Sequence, residues 1–330
     1  MLYIHGAGHY HPANVIDNAY LESLGIETTH EWIIERVGIK KRHTVMDLDN
    51  LKQTKNQRIG ETKVNESSAE MGAKAIDMAL KRAGLNKADI GMVISATCAP
   101  AYSLPANASV IAAEAGIDAF TVDITSACSS FASHVHFLNH MHEDAMPDYV
   151  LSVIPESWTT TTDFSDRRTA VLIGDGAAAV VFSKKHKATM RVTNTCMTSD
   201  PTGWDKVQTK TGAHFYQDGL SVQKFAIKKT VASFKHLQEQ TTQALSDHYF
   251  ISHQANLTML QSVCKKLGIQ PDKHLYNVDE YGNCGAAGAP SVLSQNWDLF
   301  QDGDMITLIV VGAGLTWGGM TITVGETHEA

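Results

Sequence analysis

The chain has 330 residues, of which 43% are hydrophobic and 19% charged, with a formal net charge of −8. That length exceeds one ordinary domain and suits two halves of roughly 150 residues, together able to bury a sizeable core. The acidic balance excludes nucleic acid as the main partner, because phosphate binding needs concentrated Lys and Arg, and no apolar run nears the roughly 20 residues that span a bilayer. The opening MLYIHGAGHYHP lacks the basic patch, apolar stretch and cleavage site of a signal peptide, so no membrane insertion and a cytoplasmic location are expected. Cys98, Cys128, Cys196, Cys264 and Cys284 contain no CxxC pair, which argues against a disulfide framework or a zinc knuckle.

Along the chain, Ile76, Ala79, Leu80 and Ala83 fall at helical spacing, with Asn65 or Ser67 to cap the start and Gly84 the end. A strand candidate follows at Met92 to Cys98 (MVISATC), and a second extended run at Phe120 leads into Cys128 (FTVDITSACSS). Continuous apolar runs at Tyr149 to Ile154 and Ile306 to Val311 have the pattern of strands buried on both faces. The later chain answers the earlier one. YFISHQA (Tyr249 to Ala255) matches MVISATC, Leu260, Val263, Cys264 and Leu267 form a second helical stripe closed by Gly268, and YNVDEYGNCGA (Tyr276 to Ala286) matches FTVDITSACSS. Such self-similarity predicts two copies of one supersecondary unit, residues 1–185 and 186–330, as two similar sheets packed around shared helices. Equivalent loops then converge near a pseudo-twofold axis.

Cys128 lies where a strand gives way to small and polar residues suited to a helix start, where backbone N–H groups and the helix dipole favour the thiolate. Taken alone, a cysteine is more often a buried core residue. His253 stands at the carboxyl end of a strand and replaces Ala96 of the first copy, while Asn283 precedes the cysteine that answers Cys128. Alone, Asn283 would be a turn residue. Together the three form a coherent set for acyl chemistry.

Other signals carry less. Gly312-Ala-Gly314 lacks the helix and third glycine of a dinucleotide loop, and Gly174-Asp-Gly176 runs into a strand candidate, so both are expected to be tight turns between strands. His136 and His140 would share a helical face as metal ligands do, but no third ligand is evident beside His134 and His142. Packing or helix-surface roles are expected there and for His5, His9 and His11.

DITSACSSF, ISHQANL, NVDEYGNCGAAGAPSVL and VGAGLTWGG, together with THEWIIERVGIKKRH and DRRTAVLIGDGAAAVVF, resemble the β-ketoacyl-acyl-carrier-protein synthase III family along nearly the whole chain. The resemblance implies an α/β thiolase fold of duplicated βαβαβαββ halves in five α-β-α-β-α layers, and a homodimer. It implies that Cys128 takes an acyl group from a thioester, that His253 and Asn283 hold the second, malonyl-type or β-ketoacyl thioester, and that the N–H groups of Cys128 and Gly314 form an oxyanion hole. It further implies that Trp32 stacks on the adenine of coenzyme A with help from Arg167, that Arg36 meets its phosphates, and that Asn256 contacts the pantetheine arm. Lys265 and Lys266 match positions that meet the acidic carrier protein, although Thr258 replaces a neighbouring family arginine. No resident cofactor or metal is implied, only coenzyme A or phosphopantetheine thioesters as substrates.

Two departures bear on the substrate. Asp47 to Val64 is an insertion relative to the housekeeping synthase, and Leu104 stands where a larger aromatic closes the acyl pocket across the dimer. A longer acyl group is therefore expected, and with Ser129-Ser130 the insertion resembles secondary-metabolite ketosynthases of the dialkylresorcinol or cyclohexanedione type. Three alternatives keep the same residues: an acyltransferase that forms an ester or amide, a non-catalytic partner in a heterodimer, and a cysteine hydrolase in which the histidine is a general base.

Overall fold

A computed structural model describes residues 1–241 and 244–325. The first half runs β1 (Leu2–Tyr10), α1 (Ser68–Ala83), β2 (Ile90–Ser95), α2 (Asn107–Ala115), β3 (Phe120–Asp123), α3 (Ser130–His140), β4 (Tyr149–Glu156) and β5 (Gly176–Ser183). The second runs β6 (Met190–Ser199), α4 (Gly219–Gln238), β7 (Tyr249–Ser252), α5 (Leu257–Leu267), β8 (His274–Leu275), α6 (Gly288–Gln295), β9 (Met305–Gly312) and β10 (Thr316–Val324). Each half is thus βαβαβαββ, with excursions after its first strand.

Where two separate sheets were expected, the strands form one continuous sheet in the order β3-β2-β4-β5-β1-β6-β10-β9-β7-β8, each half of which supplies one β layer. Read outward from the centre, the halves have the same order, and they join where β1 pairs antiparallel with β6 through Leu2↔Val192 and Ile4↔Met190. Helices α1 and α2 cover one outer face, burying Ile76, Ala79 and Ile111. Helices α4 and α5 cover the other, around Phe234, Leu260 and Val263. Between them lie α3, packed on β6 and β10 of the opposite half, and α6, packed on β1 and β5. The largest core cluster sits in this middle layer, where Phe131 and Val135 of α3 meet Val292 and Leu293 of α6. Five layers result, with apolar faces buried throughout.

Local signals account for the elements. Ser67 and Glu70 form a reciprocal capping box at the start of α1, and Gly84 and Gly268 take left-handed conformations that close α1 and α5. Two expectations shift. Val122-Asp123 lies in a strand, but the matching Val278-Asp279 lies in the short helix Val278–Tyr281, because β8 ends earlier, at Leu275. Gly312–Gly314 does begin the turn between β9 and β10, whereas Gly174-Asp175 is no strand-to-strand turn. That segment follows the helix Arg167–Ala170, and Gly174 donates its N–H to the Asn283 carbonyl at 3.1 Å.

The Asp47–Val64 segment is ordered. It carries the helix Leu48–Thr54, closes on itself through a Met46↔Val64 bridge, and buries Asn56, whose amide donates to the Thr160 and Thr162 carbonyls. Of the α3 histidines, His134 and His136 pack and His140 is exposed. His134 is fully buried between Ser152 Oγ and the Ile124 carbonyl, and burial lowers its pKa to about 4, while His136 meets Thr195. Among the described residues, no helix is long and apolar enough to cross a membrane.

Candidate active site

After β3 the chain makes a tight turn before α3, with Ala127 in the left-handed region at φ 51°. The serines that follow Cys128 hold this turn. Ser129 Oγ donates to the Ser126 carbonyl and Ser130 Oγ donates to the Ala127 carbonyl while accepting from the Ser126 N–H. Cys128 is thereby fixed one residue ahead of the α3 N-cap, Ser129, with its side chain 6% exposed. From the other half, Gly312 presses on the same turn. A Cβ there would lie 3.0 Å from the Cys128 nitrogen and 2.8 Å from that of Ser129, so only glycine fits.

His253 directly follows β7, as Ala96 follows β2, and its N–H donates to the Ile309 carbonyl at 3.0 Å. The imidazole is buried, and Nδ1 has no hydrogen-bond partner among the described residues. The ring and the Cys128 sulfur line the same cavity, and the imidazole helps to lower the thiol's pKa. Asn283 is set by backbone pairing, its N–H donating to the Leu172 carbonyl at 2.8 Å. Its Oδ1 accepts from the Gly285 N–H at 3.1 Å, which engages the carbonyl end of the amide and leaves the NH2 end to donate.

Two further groups were not singled out from the sequence. The Cys98 thiol lies against the Cys128 sulfur in a small cluster with Ala99, Trp158 and Phe215. Its hydrogen bond holds Cys128 well below the ordinary thiol range, and the neighbouring His253 adds to the shift against the opposing effect of burial. The same contact pushes Cys98 up. Glu156, at the end of β4 and fully buried, accepts from the Cys98 N–H at 2.8 Å, from Thr97 Oγ1 at 3.0 Å and from the Ala286 N–H at 3.1 Å. Burial pushes its pKa up to about 7. Glu156 thus joins the Cys98 loop of one half to the turn after Asn283 in the other. A Thr-Cys pair at a strand end beside a second cysteine was the available signal, but sequence spacing gives no contact between positions 98 and 128.

A cavity of about 440 Å³ opens onto Cys128, His253 and Asn283, and is also lined by Trp32, Arg36 and Asn256. Trp32 and Arg36 ride on the helix His30–Val37, which meets α5 so closely that a Cβ on Gly38 would lie 2.8 Å from Leu257 Cβ. The Arg167 guanidinium lies 5.1 Å and that of Arg36 5.9 Å from the ring centre of the half-buried Trp32, a cationic collar around its aromatic face. Arg168 rather than Arg167 lines the cavity itself. Asn256 caps α5 through Oδ1, which accepts from the Met259 N–H at 2.7 Å, and Thr258 Oγ1 donates to the Arg36 carbonyl.

Gly314, at φ 121°, sits in the turn whose neighbours Ala313 and Leu315 line the cavity. The remaining positions lie elsewhere. Lys265 and Lys266 are exposed on the last turn of α5, whose first turn borders the cavity. Leu104 is 81% exposed and is outside its own chain's cavity.

Residues 122–201 match the family model for 3-oxoacyl-[acyl-carrier-protein (ACP)] synthase III, and residues 237–324 match the model for its C-terminal part. The chain is 30% identical to the β-ketoacyl-[acyl-carrier-protein] synthase III of Ehrlichia canis, with 97% of this chain and 98% of that one covered. It is 31% identical to the enzyme of the same name from a Sulfurovum species, covering 94% and 92%. The crystal structure of 3-oxoacyl-[acyl-carrier-protein] synthase III from Aquifex aeolicus superposes with a TM-score of 0.88 at 27% identity, over 98% of this chain and all of that one.

Proposed function

Because the chain belongs to the 3-oxoacyl-[acyl-carrier-protein] synthase III family and is a thiolase-fold condensing enzyme of that type, we propose that Cys128, His253 and Asn283 are its catalytic residues. The observation that carries this reading is the Cys128 thiol, lowered well below its ordinary range beside Cys98 and His253, at a cavity that also presents the Asn283 amide. The Cys128 thiolate attacks the carbonyl of an acyl thioester. The tetrahedral oxyanion accepts from the N–H groups of Cys128 and Gly314, and its collapse breaks the bond to the departing thiol.

A malonyl-type thioester then enters with its thioester oxygen between His253 and Asn283. Loss of CO₂ builds charge on that oxygen, and two N–H donors stabilise the enolate. Its carbon attacks the acyl carbonyl and expels the Cys128 thiolate. A β-ketoacyl extender would instead need a base to remove an α-proton. Among the described residues no carboxylate lines the cavity, which favours the decarboxylating route.

Both donors are acyl groups on coenzyme A or an acyl carrier protein, with no resident cofactor. Trp32 flanked by Arg36 and Arg167, and Asn256 nearer the cysteine, form the path for adenine, phosphates and pantetheine. Lys265 and Lys266 border the route of an acidic carrier. The working unit is a cytoplasmic homodimer of chains divided into halves at 185/186, where β5 ends at Ser183 and β6 starts at Met190. Support for the dimer comes from the outermost strand β3 with Phe120 65% exposed, near an exposed loop bearing Tyr102 and Leu104.

In that dimer Leu104 faces the partner's acyl site, where its small size admits acyl groups longer than acetyl, as in secondary-metabolite ketosynthases. Intact-mass analysis with acyl thioesters of graded length, on wild type and Cys128→Ala, tests the assignment. Acyl adducts on wild type alone, followed by CO₂ release and a new carbon–carbon bond with malonyl thioester, are expected. An ester or amide product without CO₂ would instead support simple acyl transfer, and a strong preference for acetyl would remove the chain-length reading.

A further inference from the structure

The acyl group needs only one sulfur, yet two lie side by side. Cys98 and Cys128 share an apolar cluster with Trp158 and Phe215, and Cys98 is only partly buried. The other cysteines lie apart from them, and burial pushes their thiols up, that of Cys264 to about 12. The position of Cys98 is held from behind, since its N–H and the Thr97 hydroxyl both donate to the buried Glu156 carboxyl. Small solutes reach Cys128 through the cavity that it lines. A reactive thiolate open to such solutes is also the group that peroxides oxidise, and an adjacent thiol decides whether that oxidation can be reversed.

We propose that Cys98 is a resolving cysteine that captures peroxide-oxidised Cys128 as a reversible disulfide, sheltering the nucleophile from irreversible oxidation. The Cys128 thiolate attacks one oxygen of a hydroperoxide, breaking the O–O bond to give a sulfenic acid and, with hydrogen peroxide, hydroxide that is protonated to water. The Cys98 sulfur then attacks the Cys128 sulfur, the S–O bond breaks, and a second water leaves with the Cys98 proton. Two thiols and one hydrogen peroxide become one disulfide and two waters. This rests on the reading of Cys128 as the reactive thiol.

The protein is treated with a severalfold molar excess of hydrogen peroxide and followed by intact mass, by non-reducing peptide mapping and by acyl labelling before and after dithiothreitol. Wild type is expected to lose two hydrogens, to yield a peptide pair joined through Cys98 and Cys128, and to recover at least about tenfold in labelling on reduction. Cys98→Ser is expected to gain two or three oxygens at Cys128, with labelling that does not return relative to its own untreated value. Sulfinic acid at Cys128 of wild type without the joined peptides overturns the proposal, as does equal recovery in the variant. The wild-type peptide map decides the matter even if the variant fails to fold. A protein that accepts acyl groups normally but never cross-links refutes this inference alone, whereas one that cross-links but never accepts an acyl group refutes the catalytic reading instead.

Discussion

Cys128 and Cys284 stand at matching points of two halves with the same strand order, and the structure gives them opposite chemistry. Each precedes a helical turn in the middle layer. Cys128 faces a cavity, a histidine and a second thiol, and its pKa is lowered. Cys284 is 1% exposed, its thiol donates to the Asp175 and Tyr281 carbonyls at 3.4 Å, and burial beside Asp175 and Glu156 drives its pKa well above the usual range. Reactivity therefore comes from the groups that face the thiol, Cys98 of its own half and His253 of the other, rather than from the helix start that both cysteines share. The second half contributes His253 and Asn283 to the first half's cysteine, while the polar groups that the first half presents to Cys284 are the Asp175 carbonyl and the Asp175 and Glu156 carboxyls.

Breaking the reactive side of this comparison gives the largest effect. Cys128→Ala is expected to abolish acyl labelling and lower turnover by at least about 10⁴-fold, because no other thiol at the site is below its ordinary pKa. Asn283→Ala separates the two steps. Labelling of Cys128 should persist, while condensation with malonyl thioester falls by about 10²–10³-fold through loss of one oxyanion donor. Parallel loss of both steps in a single-turnover assay would mean that Asn283 positions the cysteine instead.

Much of this site was legible in the sequence because the duplication turns distant positions into equivalent loops. His253 could be read against Ala96, and both do follow strands that end at Ser252 and Ser95. Cys98 and Glu156 were not legible as site residues. Their contacts arise where the ends of adjacent parallel strands β2 and β4 meet a turn from the other half, and no periodicity reports that meeting. The repeat also misled once. Val-Asp matched in sequence but not in conformation, since the β8 ladder is only two residues long and the chain turns helical immediately afterwards. The Gly174-Asp-Gly176 segment was misread as a plain turn because its partner, Asn283, lies far along the chain.

Glu156 is shared by the two cysteine regions, and its titration sharpens the contrast between them. With a folded pKa raised from 4.5 to about 7, the folded state binds more protons than the unfolded state between those values. Its contribution is therefore fully present below about pH 4.5 and is lost as pH rises through about 7, on the order of 3 kcal/mol in all. Glu156→Gln, which cannot ionise, should flatten the fall in melting temperature across that window. An unchanged pH slope would show that the carboxyl is already ionised in the folded protein at low pH.

The smallest effect is expected on the inert side. Cys284→Ala removes a buried sulfur whose two hydrogen bonds to carbonyls are weak, so the loss should be about 1–2 kcal/mol of stability from packing. Acyl labelling of Cys128 should stay within about twofold of wild type, since the Asn283 backbone is held by Leu172 and Gly174 rather than by the thiol. Competitive alkylation of the native wild-type protein offers a direct reading of the same asymmetry: Cys128 should react first, and Cys284 only once the protein unfolds. If Cys284 alkylates in the folded state at a rate near that of Cys128, burial does not separate the two thiols and the helix-start position they share must account for the reactivity of both.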